Sequence, residues 1–150
     1  MPVTGRKMRI ARLLPLSLML LFVGHVRAEP PADVLDFFSS AASALVEDDP
    51  AAFLDHFDHN MPEYATLREE IEGLLAAYDV GSTIEVVSDE GDDQKRSLAL
   101  DWLLLTNEKA ASHGDRATRR RIVKCSIERR GKKWKITSLD PIDFFKVNLP

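Results

Sequence analysis

The sequence changes its period at Gly81, and that change limits the chain to one class of fold. Before it, apolar residues recur every three or four positions; after it, they alternate. Over residues 94–106, Leu98, Leu100, Trp102 and Leu104 point one way, and Ala99, Asp101, Leu103 and Leu105 point the other. Both sets are largely apolar, which predicts a central strand covered on both faces. A shorter β-rich run, residues 83–87, precedes it, and residues 89–93 form an acidic turn between the two. A polar connection, residues 107–115, leads to a third strand over 117–129. Arg130-Gly131-Lys132 then turns the chain into a fourth strand over 133–139, with Trp134 and Ile136 on its apolar face.

The helical part has three segments. Asp33 caps the first, where Val34, Phe37, Phe38, Ala41 and Leu45 fall on one stripe. It ends in Glu47-Asp48-Asp49, and Asp49-Pro50 starts a short second helix that presents Phe53, Leu54 and Phe57. His59-Asn60-Met61-Pro62 breaks the pattern. The third helix places Leu67, Ile71, Leu74, Leu75 and Tyr78 on one stripe and Arg68, Glu69, Glu70 and Glu72 opposite, with Gly73 weakening it slightly. Three helices followed by four sequential strands predict an α+β domain, an antiparallel sheet with helices against one face. Beyond the fourth strand, Ile142, Phe144, Phe145 and Val147 form an apolar tail. Either it completes the core or it docks on a partner.

The first 28 residues read differently. Arg6, Lys7, Arg9 and Arg12 precede an uncharged, mostly apolar run over residues 13–26, and Val26-Arg27-Ala28 offers a cleavage site before Glu29-Pro30-Pro31. This is the pattern of a secretory signal peptide. As a helix, the run would reach about 21 Å, short of the roughly 30 Å hydrocarbon core that an uncleaved anchor must cross. No cysteine follows it to carry a lipid, and no later segment is apolar for long enough to span a membrane. The expected product is a single domain, residues 29–150, exported to a bacterial periplasm or the extracellular space. Cys125 is the only cysteine, so an internal disulfide is excluded. Val123, Cys125 and Ile127 share a strand face, which favours a buried, inert thiol over a reactive one.

Three stretches together resemble the NTF2-like superfamily, the cone-shaped fold of SnoaL-type and ketosteroid-isomerase proteins. They are the first helix running into Asp48-Asp49-Pro50-Ala51-Ala52-Phe53-Leu54, the alternating strand over 94–106, and the closing hairpin from Ile127 to Leu139 with its Lys133-Trp134-Lys135-Ile136. The resemblance covers nearly all of residues 29–150. It implies three N-terminal helices packed on a curved four-stranded antiparallel sheet, with self-association through that sheet. Members of this family typically insert a small β-hairpin between the second and third helices. Here only His59-Asn60-Met61-Pro62 lies there, so the lip of the cone is trimmed and no catalytic residue carries over from the family. The superfamily includes isomerases, dehydratases, transport factors and many non-enzymes, so the fold does not fix the function.

Residue chemistry supplies several candidates. Asp101, in an otherwise apolar strand, would suit general acid or base work if its face lined the cone; otherwise it pairs with a basic residue of the next strand. That defines the enzyme alternative, an isomerase or dehydratase. Among the aromatics, Tyr64, Tyr78, Trp102 and Trp134, the expected ligand-facing residues are Tyr64 and Trp102, on a pocket for a small apolar ligand. His56 and His59 could share a helix face with Asp55 or Asp58, but no third ligand is evident, so no metal is expected. His113 falls in the polar loop. No P-loop, dinucleotide glycine pattern or nucleophile elbow occurs, so no nucleotide cofactor and no nucleophilic hydrolysis is expected.

Charge is strongly segregated. Residues 29–115 carry 21 acids and four bases, whereas residues 116–150 carry 11 bases and three acids. Arg119, Arg121, Lys124, Arg129, Lys133 and Lys135 would form a patch for an anionic surface or protein if they cluster. The alternative is internal: acidic helices against basic strands. Export and a net charge of −9 over residues 29–150 argue against nucleic acid. The leading expectation is a non-enzymatic exported protein that binds a small ligand in the cone or a partner on the sheet, with homodimerisation through that sheet.

Overall fold

The computed structural model describes residues 29–110, Gly114 and residues 116–147. The expected leader falls on residues 1–28, outside the described residues. Helix α1 (Ala32–Val46) begins after Pro31, so Asp33 sits in its first turn and does not cap it, and the helix buries Val34, Phe38, Ala41 and Leu45. At its end Asp48 takes a left-handed φ of 58°, and the Asp49 N–H reaches back to the Ala44 carbonyl at 3.0 Å, the six-to-one bond that closes a helix terminus. Asp49 then begins the next helix, α2 (Pro50–Leu54), accepting the Ala52 N–H at 2.9 Å with its carboxylate. Helix α3 (Tyr64–Ala77) buries Leu67, Ile71, Leu74 and Leu75.

Four strands follow: β1 (Tyr78–Gly91), β2 (Lys95–Glu108), β3 (Arg116–Arg130) and β4 (Lys133–Asp140), in the sheet order β1-β2-β3-β4 and antiparallel throughout. The sheet is curved and unclosed. Register shifts between Val86 and Ser88 and between Ser126 and Ile127 mark bulges, which bend strands locally. β1 starts five residues before the first strand residue expected from sequence. Tyr78 continues the helical stripe in spacing but adopts extended backbone and pairs with Glu108, its ring staying half-buried against the core.

The free side of β4 is covered by the connection after α2. The Asp58 N–H donates to the Ile136 carbonyl and the Ile136 N–H to the His56 carbonyl, both at 2.8 Å. Three residues thus add a single parallel bridge, Phe57 to Ile136. Inside the curve, Trp102, Phe38, Phe53, Phe57, Phe144 and Phe145 are fully buried. The rings of Phe145 and Trp102 lie 5.1 Å apart and those of Phe145 and Phe53 5.4 Å. Burying side chains of this size contributes about 1.5–3 kcal/mol each.

One open reading is decided here and one expectation is corrected. The tail is core: Ile142–Phe145 forms a 3-10 turn under α3, with Phe144 and Phe145 sealed in the interior. The central strand is covered on one face only. Leu98, Leu100, Trp102 and Leu104 are buried, while Asp101, Leu103 and Leu105 lie on an outer face that no described helix covers.

Candidate functional site

Residues that sequence reasoning placed together are divided by the sheet. Alternation puts Trp102 inside and Asp101 outside. The Trp102 indole N–H donates to Ser82 Oγ at 2.9 Å, satisfying its one polar group, and its ring packs on Phe53, Phe144 and Phe145. The interior is therefore filled by aromatic side chains of the protein itself. Tyr64 lies elsewhere, at the start of α3. Its ring stacks on His59 with centroids 4.4 Å apart, beside a shallow hollow of about 300 Å³ that Leu54, Asp55 and Glu72 also line.

Both oxygens of Asp101 are held by one guanidinium: Arg120 Nε at 2.8 Å and Nη2 at 2.5 Å. That bidentate hydrogen bond keeps the carboxyl below its ordinary value. A general base needs a proton affinity close to working pH. This pairing moves Asp101 the other way.

The basic residues do not form one patch. β3 alternates, so Arg119 and Arg121 fall on the inner side, opposite Leu104 and Trp102, and Lys124 on the outer side, opposite Ala99. An Arg119 N–H donates to the Phe144 carbonyl and pins the terminal turn. Arg129 spans the fold: its guanidinium lies 4.1 Å over the Trp134 ring and binds Asp33 at 2.8 Å. That bond, then the Trp134 N–H at 3.0 Å, lower the Asp33 pKa. Lys135 donates to the Asp55 carbonyl, Arg130 bridges Asp58 and Glu128, and Lys133 stays exposed on the β4 edge. Acids of the helical half thus offset a large share of the basic strands. Of the expected patch, Arg119, Arg121, Lys124 and Lys133 make no ion pair among the described residues.

The two candidate ligand histidines diverge. His56 Nδ1 lies 2.9 Å from the Ala52 carbonyl and Nε2 3.2 Å from Ser40 Oγ, so the ring is taken up within the helices. No group of three or more metal-ligating side chains comes together among the described residues. Cys125 is buried on the inner face, and burial pushes its thiol up to about 12.

The outer face is the feature that sequence reasoning missed. Its cross-strand rows read Asp79–Asn107–Arg116, Gly81–Leu105–Thr118, Thr83–Leu103–Arg120 and Glu85–Asp101–Ile122. Asp79 and Glu85 lie on β1, Leu103 and Leu105 on β2 between Asn107 and Asp101, and Arg116 and Arg120 on β3 with Ile122 beyond them. Leu105 is 49% exposed and Ile122 51%. At one end, a hollow of about 490 Å³ opens between Val80, Leu105, Ala117 and Thr118. The signal was present in the sequence, because only one apolar set of β2 can face the helices.

No protein-family profile matches the chain. No curated protein matches it in sequence either. Solved structures do match in shape. A candidate aromatic ring hydroxylase of Novosphingobium aromaticivorans superposes with a TM-score of 0.61 at 17% identity, covering 79% of this chain and 100% of its own. A candidate scytalone dehydratase of the same organism gives 0.62 at 8% identity, over 71% of this chain and 78% of its own. A hexachlorocyclohexane dehydrochlorinase, LinA type 2, gives 0.57 at 16%, over 72% and 80%. At such identities the likeness speaks for shape alone. A curved four-stranded antiparallel sheet closing over three N-terminal helices, shared with these structures, is the NTF2-like fold.

Proposed function

We propose that this chain is an exported binding protein that works through the outer face of its sheet, and that the first partner of that face is a second copy of itself. The observation that carries this reading is the filled interior. Where a cavity would hold a substrate, Trp102, Phe53, Phe144 and Phe145 pack against each other. The isomerase or dehydratase alternative, with Asp101 as acid or base, has less support, because Asp101 lies outside the cone in a bidentate pair with Arg120.

Charge supports self-association. A two-fold axis parallel to the strands would set the acidic β1 side of one copy over the basic β3 side of the other. Leu103 and Leu105 of the two β2 strands would meet in between, with Ile122 flanking them on β3. Such an interface is isologous, and each charge column meets its opposite. Light scattering on the purified protein tests the reading. The expected result is a dimer that the paired substitutions Leu105→Glu and Ile122→Glu convert to a folded monomer. A wild-type protein that stays monomeric at about 100 μM, well above the dissociation constant of a standard-sized interface, refutes it.

A further inference from the structure

The sheet ends differently on its two sides. Among the described residues, β4 is bridged by residues 56–58, but β1 ends the sheet with no strand beside it. Every second residue of an edge strand points its N–H and C=O away from the sheet. Along this edge runs α1, and between them lies a groove of about 470 Å³. Its helical wall is Leu35, Ser39, Ala42, Ser43 and Val46, a stripe that borders the buried one and shares Ala42 with it. The three middle residues are small and form a trough. Leu35 and Val46 stand at its ends, 44% and 54% exposed, half of the large apolar side chains that the described protein leaves open. The opposite wall is Ser82, Thr83 and Ile84 of β1.

The dimensions suit an extended chain. From Leu35 to Val46 the helix rises about 16 Å, the length of about five residues of β-strand. The charge selects among occupants. Glu47 closes one end of the groove, where the carbonyls of α1 also terminate, and no basic side chain lines it. β1 adds Asp79 and Glu85 on its outer face. A second copy pairing edge to edge would bring these acids against one another. A cationic strand would meet them favourably.

We infer that the groove between α1 and β1 is a docking site for an extended segment of a partner protein, apolar at alternate positions and carrying lysine or arginine between them, which adds as a fifth strand to the free edge of β1. Backbone hydrogen bonds would hold it, and its inward side chains would fill the trough between Leu35 and Val46. This surface is distinct from the outer sheet face and does not depend on its role.

The probe is a fluorescein-labelled hexapeptide of alternating lysine and valine, titrated with the full protein and read by fluorescence anisotropy. Saturable binding is expected, with about a tenfold loss for an alternating glutamate–valine peptide and for a lysine–valine peptide methylated on alternate backbone nitrogens. Ser43→Arg, at an exposed helix position, fills the trough and repels the probe, and the same loss is expected there with the thermal midpoint unchanged. The double variant Leu35→Gln and Val46→Gln gives a second reading should Ser43→Arg disturb folding. Lys133→Gln, exposed on the opposite edge of the sheet, leaves binding intact. Absence of saturation at about 1 mM overturns the proposal. So does binding that ignores both backbone methylation and Ser43→Arg, which would mark general charge attraction. Light scattering that shows Ser43→Arg splitting a wild-type dimer also overturns it, since a second copy would then occupy the groove.

Discussion

Replacing Phe145 with alanine should test whether the interior is a sealed core or a cavity with a removable plug. Phe145 is fully buried, and its ring sits 5.4 Å from Phe53, 5.1 Å from Trp102 and 5.0 Å from Phe144. Truncating such a ring removes its transfer free energy and leaves a space that three neighbouring aromatics can only partly close. Phe→Ala changes in settings of this kind cost about 3–5 kcal/mol. For a domain of this size, each 1 kcal/mol lowers the midpoint of thermal unfolding by about 3–5 °C, so a fall of about 10–20 °C is expected. Chemical denaturation followed by tryptophan fluorescence is the assay, because Trp102 touches the altered site and Trp134 reports from the closing hairpin. The slope against denaturant should stay constant while the midpoint falls. Small aromatic compounds such as indole should then recover part of the loss by occupying the space. A cost below about 1 kcal/mol would refute the reasoning, since a ring so placed can be that cheap only if the terminal turn already leaves its site.

Two further predictions concern titrating groups. Glu70 on α3 has one buried carboxylate oxygen with no hydrogen-bond partner, and burial, then the neighbouring Asp143, raise its pKa. A raised acid favours the folded state below its unfolded pKa and loses that advantage as pH climbs through the folded one. Glu70→Gln should therefore raise the thermal midpoint at pH 7 and leave it unchanged near pH 3.5; an equal shift at both would sink the assignment. Cys125, with its thiol near 12, should carry a thiolate fraction of about 10⁻⁴ at pH 8 and react with a disulfide reagent only as fast as the protein unfolds. Rapid labelling of the native protein, or a disulfide-linked dimer in oxidising buffer, would contradict its burial.

Much of the architecture could be read because its causes are local. The stripe over Val34, Phe38, Ala41 and Leu45, the Asp49-Pro50 start and the turn at Gly131, whose φ of 64° suits glycine, each follow from a few neighbouring residues. The alternation at Leu98, Leu100, Trp102 and Leu104 also implied that Asp101 lies on the opposite face from Trp102. Which face lined the cone depended on where the helices pack, and period-two patterning is silent on that. The basic strands were misleading for a related reason. Asp33, Asp55 and Asp58, which hold Arg129, Lys135 and Arg130, lie between 72 and 96 positions away in sequence. Their compensation exists only once α1 and the segment after α2 have been laid against β3 and β4. The two apolar faces of β2 invited a covering on both sides, but the described helices cover one.

The bridge at Phe57 and Ile136 bears on assembly number. A sheet with two open edges can accept a neighbour at each and so propagate without limit. This one has spent one edge on residues 56–58. Strand addition has one port on this chain, and two sibling chains joined edge to edge at β1 would leave no port for a third. Three residues and two hydrogen bonds therefore act as a chain terminator, which matters for a molecule whose other edge strand is 14 residues long.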